Sequence, residues 1–113
     1  MAFDPEPELS PEEVRERVDD AIAEHDVVLF MKGTELMPQC GYSRKALGLL
    51  QQHRDDVATV NVLDALDAHR EALQRHSDRE TIPQTFVDGE FVGGSDILEQ
   101  LHERDELAAT LDA

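Results

Sequence analysis

Thiols are nearly absent from this chain of 113 residues, which has one cysteine, Cys40. No internal disulfide can form, so any disulfide chemistry must involve a second molecule. A reducing cytoplasm is the compartment expected of such cysteine usage. Tryptophan is missing altogether. No apolar run approaches the roughly 20 residues that a membrane helix needs, so no membrane partner is expected. The first residues lack a basic region followed by an apolar stretch, and no secretory signal is expected either. Bases are scarce: 10 Lys and Arg stand against 26 Asp and Glu, a formal net charge of −16. That balance excludes the positive footprint of a nucleic-acid binder. The five histidines, at 25, 53, 69, 76 and 102, show no metal-ligand spacing and read as surface residues.

What is present is one domain's worth of chain. An apolar share of 40% permits a core, and a chain of this size removes roughly two-thirds of its unfolded surface from water without a metal or disulfide staple. Residues 1–9 carry three acids and two prolines and read as a flexible acidic tail. Residues 10–113 read as a single domain. The acids are spread along the whole chain, the pattern of a solvated surface and not of a binding tail. Lys32 and Lys45 are the only lysines. An acidic, lysine-poor surface suits a protein adapted to concentrated salt, where screening relieves self-repulsion.

Ser10-Pro11-Glu12-Glu13 is a helix start, with a cap, a first-turn proline and a capping box. Val14, Val18, Ala21 and Ile22 continue at helical spacing to about His25. Val27 to Met31 is a continuous apolar run whose length and β-branching predict a buried strand. A loop from Lys32 to Gln39 follows, then a helix from Gly41 to about His53 with Ala46, Leu47, Leu49 and Leu50 inward. Val57–Val62 predicts a second strand and Leu63–His76 a second crossover helix. Thr85–Val87, the turn Asp88-Gly89, and Glu90–Val92 predict a hairpin. Ser95 is expected to cap a last helix carrying Ile97, Leu98, Leu101, Leu107 and Leu111. Strands joined through a helix should run parallel with a right-handed crossover. The expected fold is therefore α/β, a four-stranded mixed sheet with helices on both faces.

Three motifs carry chemistry. Cys40 falls just after the loop and just before a helix, where unpaired N–H groups and about half a positive charge collect. Lys32, Arg44 and Lys45 are close in sequence. An ordinary thiol, of pKa about 8.5, is only about 3% ionised at pH 7; such a position favours the thiolate. Cys40 is thus a candidate nucleophile or soft-metal ligand, against the alternative of a small buried hydrophobe. Gly41 allows close backbone approach, and Ser43 stands where redox helices often carry a second cysteine. A hydroxyl cannot resolve a mixed disulfide, so the chemistry must be monothiol or ligand chemistry. In Thr81-Ile82-Pro83-Gln84, Pro83 stands at a strand entry, where a cis bond would leave Ile82 free to pair with an extended peptide. On the dipeptide alone, trans is the ordinary expectation. Gly93-Gly94-Ser95-Asp96 combines a carboxylate site at a helix start with an acid for an ammonium group, or is simply a turn and cap.

Taken together and in order, these segments resemble a monothiol glutaredoxin of the thioredoxin superfamily, over about Pro11 to Leu111. The likeness is strongest in Phe30-Met31-Lys32-Gly33-Thr34 and Pro38-Gln39-Cys40-Gly41-Tyr42-Ser43, with seven residues between Lys32 and Cys40. The resemblance implies a thioredoxin-like fold. It implies a groove for a low-molecular-weight thiol, glutathione or γ-glutamylcysteine, and a cis Pro83. Lys32 and Arg70 would meet a carboxylate of that molecule, Ile82 would pair with its backbone, Gly94, Ser95 and Asp96 would hold its γ-glutamyl end, and Cys40 and Tyr42 would lie at its sulfur. It further implies a shared 2Fe–2S cluster in a homodimer, monomeric otherwise, with cluster donor and acceptor proteins as partners. Such a cluster needs four thiolates; one Cys40 and one small thiol per chain supply two. The alternatives are a monothiol oxidoreductase acting on protein–small-thiol mixed disulfides, and a thioredoxin-fold domain with an inert cysteine. Tyr42 replaces the family's usual phenylalanine, Arg79-Glu80 a usual Trp-Pro, and Ser95 a frequent cysteine. A salt-adapted archaeal source is the expectation the acidity adds, and there γ-glutamylcysteine is the expected thiol.

Overall fold

Residues 9–112 are described by a computed structural model. Helix α1 spans Pro11–Glu24 and opens on the expected capping box. The Ser10 hydroxyl accepts the Glu13 N–H at 3.1 Å, and the Glu13 carboxylate accepts the Ser10 N–H at 3.0 Å. Strand β1, Val27–Met31, is buried along its whole length. Helix α2 runs Gly41–Gln51 and strand β2 Ala58–Asn61, one or two residues inside the expected bounds. The second crossover begins with a 3-10 turn at Val62–Ala65 before helix α3, Leu66–Ser77. Strands β3, Gln84–Val87, and β4, Glu90–Gly93, form the hairpin.

The sheet order is β2-β1-β3-β4. β1 and β2 are parallel; β3 pairs antiparallel with β1 and with β4. The thioredoxin-like fold expected from the motifs is the fold found. Because β1 is central, its side chains alternate between two covered faces. Val28 and Phe30 meet α1 and α3 through Val14, Val18, Ala72 and Leu73. Val27, Leu29 and Met31 meet α2 and the C-terminal helices through Ala46, Leu50, Leu98 and Leu107. Two-sided burial explains why this strand reads as a continuous apolar run instead of an alternating one. Phe30 and Phe86 pack edge to face, centroids 5.7 Å apart, and fix the pairing of β1 with β3 from one side.

Three expectations are corrected. The last helix is two: α4, Ser95–Glu103, and α5, Leu107–Leu111. Asp105 between them takes a left-handed conformation, φ 58°, which Asp tolerates better than most residues. Ser95 is the first helical residue, and Gly94 is the cap. His69 lies fully inside, under α3, while the other four histidines are exposed. The expected tail falls outside the described residues except for Leu9, which is half-buried against the first cluster. Among the described residues no helix is long and apolar enough to cross a membrane.

Candidate functional site

Strand register brings the three motifs to one end of the sheet. Phe30 pairs with Gln84 and Thr85 with Gly93. The exit of β1, the entry of β3 and the exit of β4 therefore lie side by side. The loop after β1, the proline segment and the start of α4 have nowhere else to go.

The loop after β1 is tightly built. Lys32 carbonyl oxygen accepts the Gln39 N–H at 2.9 Å, and Thr34 and Met37 exchange backbone bonds at 3.1 and 3.2 Å. The Asn61 side chain, from the end of β2, accepts the Gly33 N–H at 3.0 Å. The loop thus returns to β1 and delivers Cys40 to the N-cap of α2. Its tip leaves Leu36 and Met37 exposed, with Tyr42 exposed beyond the cysteine.

Cys40 is a free thiol, part-exposed at that helix start. Its sulfur makes no full capping bond, yet its ionised form is stabilised. The thiol is held below its ordinary range first by the Ser43 backbone N–H; partial burial opposes this. The Tyr42 N–H and the Ser43 hydroxyl add to the lowering, and the Lys32 charge adds a smaller pull. Lys45, expected to help, pairs instead with Glu99 on α4. The alternative of a cysteine packed as an inert hydrophobe does not describe this environment.

A groove of about 570 Å³ opens beside the helix start. Tyr42 forms one end; Thr81, Ile82 and Pro83 form one wall; Gly93, Gly94, Ser95 and Asp96 form the other. The Ile82–Pro83 bond is cis, as the family resemblance implies. The walls approach closely: a Cβ on Gly94 would lie 3.0 Å from the Pro83 carbonyl oxygen. Buried Gln84 holds the lip from below, donating to the carbonyls of Arg79 at 2.8 Å and Thr81 at 3.0 Å. Ile82, Pro83, Gly94, Ser95, Asp96 and Tyr42 are thus brought together around one cavity. Cys40 and Lys32 are not among the residues lining this cavity; the Lys32 charge reaches the Cys40 sulfur. Arg70 does not line this groove; its nearest acid is Asp67 on its own helix, 3.9 Å away.

The motifs singled out in the sequence did not assign a role to Arg79, which lines the groove. They also missed the two bonds of Gln84. The sequence marks Arg79 only as part of a departure from the family's usual Trp-Pro, and neither residue's role is local, since both act through the turn that ends α3. Among the described residues, no group of three or more His, Cys, Asp or Glu is placed to hold a metal ion. Any metal here must take its remaining ligands from other molecules.

Comparison with known proteins follows the same pattern. The glutaredoxin family model matches residues 27–92. The mitochondrial monothiol glutaredoxin-5 of Schizosaccharomyces pombe is 45% identical over 98 residues, covering 84% of this chain and 66% of that protein. The chain therefore spans about two-thirds of that relative's length. An uncharacterised monothiol glutaredoxin of Synechocystis is 40% identical over 100 residues, covering 88% of this chain and 92% of that one. Among solved structures, reduced poplar apo GrxS14 superposes with a TM-score of 0.76 at 35% identity, over 89% of this chain and 92% of that one.

Proposed function

The chain belongs to the monothiol glutaredoxins, and we propose that it binds a γ-glutamyl thiol, glutathione or γ-glutamylcysteine, at Cys40. With that thiol it carries a 2Fe–2S cluster between two chains and passes it to acceptor proteins. One observation carries the reading: the chain's single thiol is stabilised as thiolate two residues before Tyr42, which lines one groove together with Ile82, Gly94, Ser95 and Asp96. A thiolate is the form that ligates iron, and a site with one sulfur per chain needs three more from outside. Two chains and two small thiols supply them, so the cluster is cargo of a homodimer and the unloaded protein a monomer. Lys32 and Arg70 are proposed to attract the small thiol's carboxylates, and Tyr42 to cover the sulfur. Residues 10–113 act as one domain, in a cytoplasm rich in salt, of archaeal type.

A second reading rests on the lowered Cys40 pKa. The Cys40 thiolate attacks the small thiol's sulfur in a protein–small-thiol mixed disulfide, and the client thiolate leaves. A second small thiolate then attacks the small-thiol sulfur bound to Cys40, releasing a small-molecule disulfide and restoring the Cys40 thiolate.

Anaerobic reconstitution with iron, sulfide and each thiol separates the readings. Cluster carriage predicts a coloured dimer that forms only with the small thiol and is lost in Cys40→Ser. A colourless monomer that still removes glutathione from a mixed disulfide leaves the oxidoreductase reading standing and overturns the first.

A further inference from the structure

The groove holds one charged side chain that the proposed thiol contacts leave unused. Arg79 lines it, on the same wall as Ile82 and facing the same space as Asp96. Of the ten Lys and Arg, six have no carboxylate partner among the described residues, and of those six Arg79 alone lines the groove. Arg17, Lys45, Arg54 and Arg70 all have carboxylate partners; among the described residues the Arg79 side chain has none. Its root is nevertheless fixed. The Arg79 N–H donates to the Ser77 hydroxyl oxygen at 3.1 Å, and its carbonyl accepts the buried Gln84 amide at 2.8 Å. The backbone is anchored beside the groove, while the side chain is exposed and has no carboxylate partner among the described residues.

We infer that Arg79 is a specificity-determining contact for the α-carboxylate of the γ-glutamyl thiol. The inference rests on the thiol-binding reading proposed above. An α-amino-acid head carries an ammonium and a carboxylate on one carbon. The groove offers Asp96 for the first, and the Gly94–Ser95 helix start together with Arg79 for the second. A guanidinium is matched to a carboxylate by its fork of N–H donors, which a lysine ammonium cannot reproduce. The position Arg79 occupies decides which end of the molecule is read. A thiol lacking the α-carboxylate loses the contact, whereas glutathione and γ-glutamylcysteine share it and are not told apart by it.

The test is the equilibrium of the exchange in which the Cys40 thiolate and a disulfide RSSR give Cys40–S–S–R and free RS⁻. It is measured by mass spectrometry in thiol–disulfide buffers. The probes are glutathione disulfide, the disulfide of γ-aminobutyryl-cysteinyl-glycine, which lacks only the α-carboxylate, and hydroxyethyl disulfide. Arg79→Ala is expected to lower the constant for glutathione about tenfold, the size of one partly exposed charge-assisted contact, and to change the constant for the analogue less than twofold. Arg79→Lys is expected to fall between. An unchanged glutathione constant in Arg79→Ala, with wild-type preference for glutathione over hydroxyethyl disulfide intact, overturns the Arg79 assignment alone. Equal losses for glutathione and the analogue do the same. Wild type that exchanges as readily with hydroxyethyl disulfide as with glutathione disulfide overturns the groove reading itself.

Discussion

The hydroxyl oxygen of Ser43, fully buried in the first turn of α2, accepts the backbone N–H of Lys32 at 3.0 Å. One oxygen therefore ties the end of β1 to the helix that presents Cys40. The same hydroxyl helps to hold the Cys40 thiol below its ordinary range, behind the Ser43 backbone N–H. Ser43→Ala keeps the backbone donor and removes the hydroxyl. It leaves the part-buried Lys32 N–H without its acceptor, a loss of about 1–3 kcal/mol. The expected outcome is lower stability in urea, and a Cys40 alkylation profile shifted to higher pH. A profile that superposes on wild type would show that the hydroxyl does not act on the sulfur.

Gly33 is where the loop before Cys40 turns, at φ 96°. A Cβ there would lie 2.5 Å from the Met37 carbonyl oxygen and 2.6 Å from the Gln39 N, both backbone atoms that cannot swing aside. Gly33→Ala is expected to cost on the order of 1–3 kcal/mol in backbone strain alone, with the contact adding to it, and to slow Cys40 alkylation by misplacing the loop. Gly48, exposed in α2 with open space around it, is the contrast. Gly48→Ala is expected to stabilise by about 0.5–1 kcal/mol through helix propensity. Denaturant unfolding of the two variants checks the sign of each change. Equal effects would remove the steric account of the loop.

The elements that local rules govern were legible in the sequence. Ser10 and Glu13 marked the start of α1, the Val27–Met31 run marked a strand covered on both faces, and Asp88-Gly89 marked the hairpin. The split of the last helix was not legible. Leu98, Leu101, Leu107 and Leu111 keep apolar spacing across the break, and it is made by a left-handed Asp105 rather than by Gly or Pro. The position of Cys40 at a helix start could be read from the loop and helix around it. The place of Arg79 could not, because it depends on where the end of α3 meets the entry of β3. Histidine 69 escaped for a related reason: one polar residue on an amphipathic helix does not reveal which face the neighbouring helix will cover.

That buried His69 gives stability a pH dependence. Its Nδ1 lies 2.7 Å from the Ala65 carbonyl oxygen, which can only accept, so Nδ1 carries the proton. Nε2 is buried and, among the described residues, has no partner. Burial pushes the His69 pKa down first; the Ala65 bond opposes this, the charge of Arg17 adds to the lowering, and Asp64 opposes it. The unfolded chain thus takes up a proton, below about pH 6.5, before the folded protein does. The His69 contribution is fully present above that pH and is lost as pH falls toward the lower folded value, by at most about 1.4 kcal/mol per pH unit. Urea unfolding of wild type and His69→Gln from pH 8 to pH 5 isolates it, because the carboxylates contribute to both. The stability difference is expected to narrow below pH 6.5 in disfavour of wild type. Parallel curves would mean that His69 takes up its proton equally in both states.

Charge sets the last dependence. The formal net charge is −16, while ion pairs among the described residues engage only Asp19, Asp26, Asp56, Asp64, Asp67 and Glu99. The other acids among the described residues are exposed to water, and compaction brings them closer than the unfolded chain does. The Debye length falls from about 10 Å at 0.1 M salt to about 3 Å at 1 M. Screening should therefore raise the melting temperature with KCl, most steeply at the low end, where the length still exceeds the spacing of surface charges. Solute exclusion from the surface also stabilises proteins, but it grows with concentration and acts without charge. Sucrose at matched osmolality separates the two: KCl is expected to raise the melting temperature well before sucrose does. A melting temperature flat from low to molar KCl would show that self-repulsion does not limit this fold.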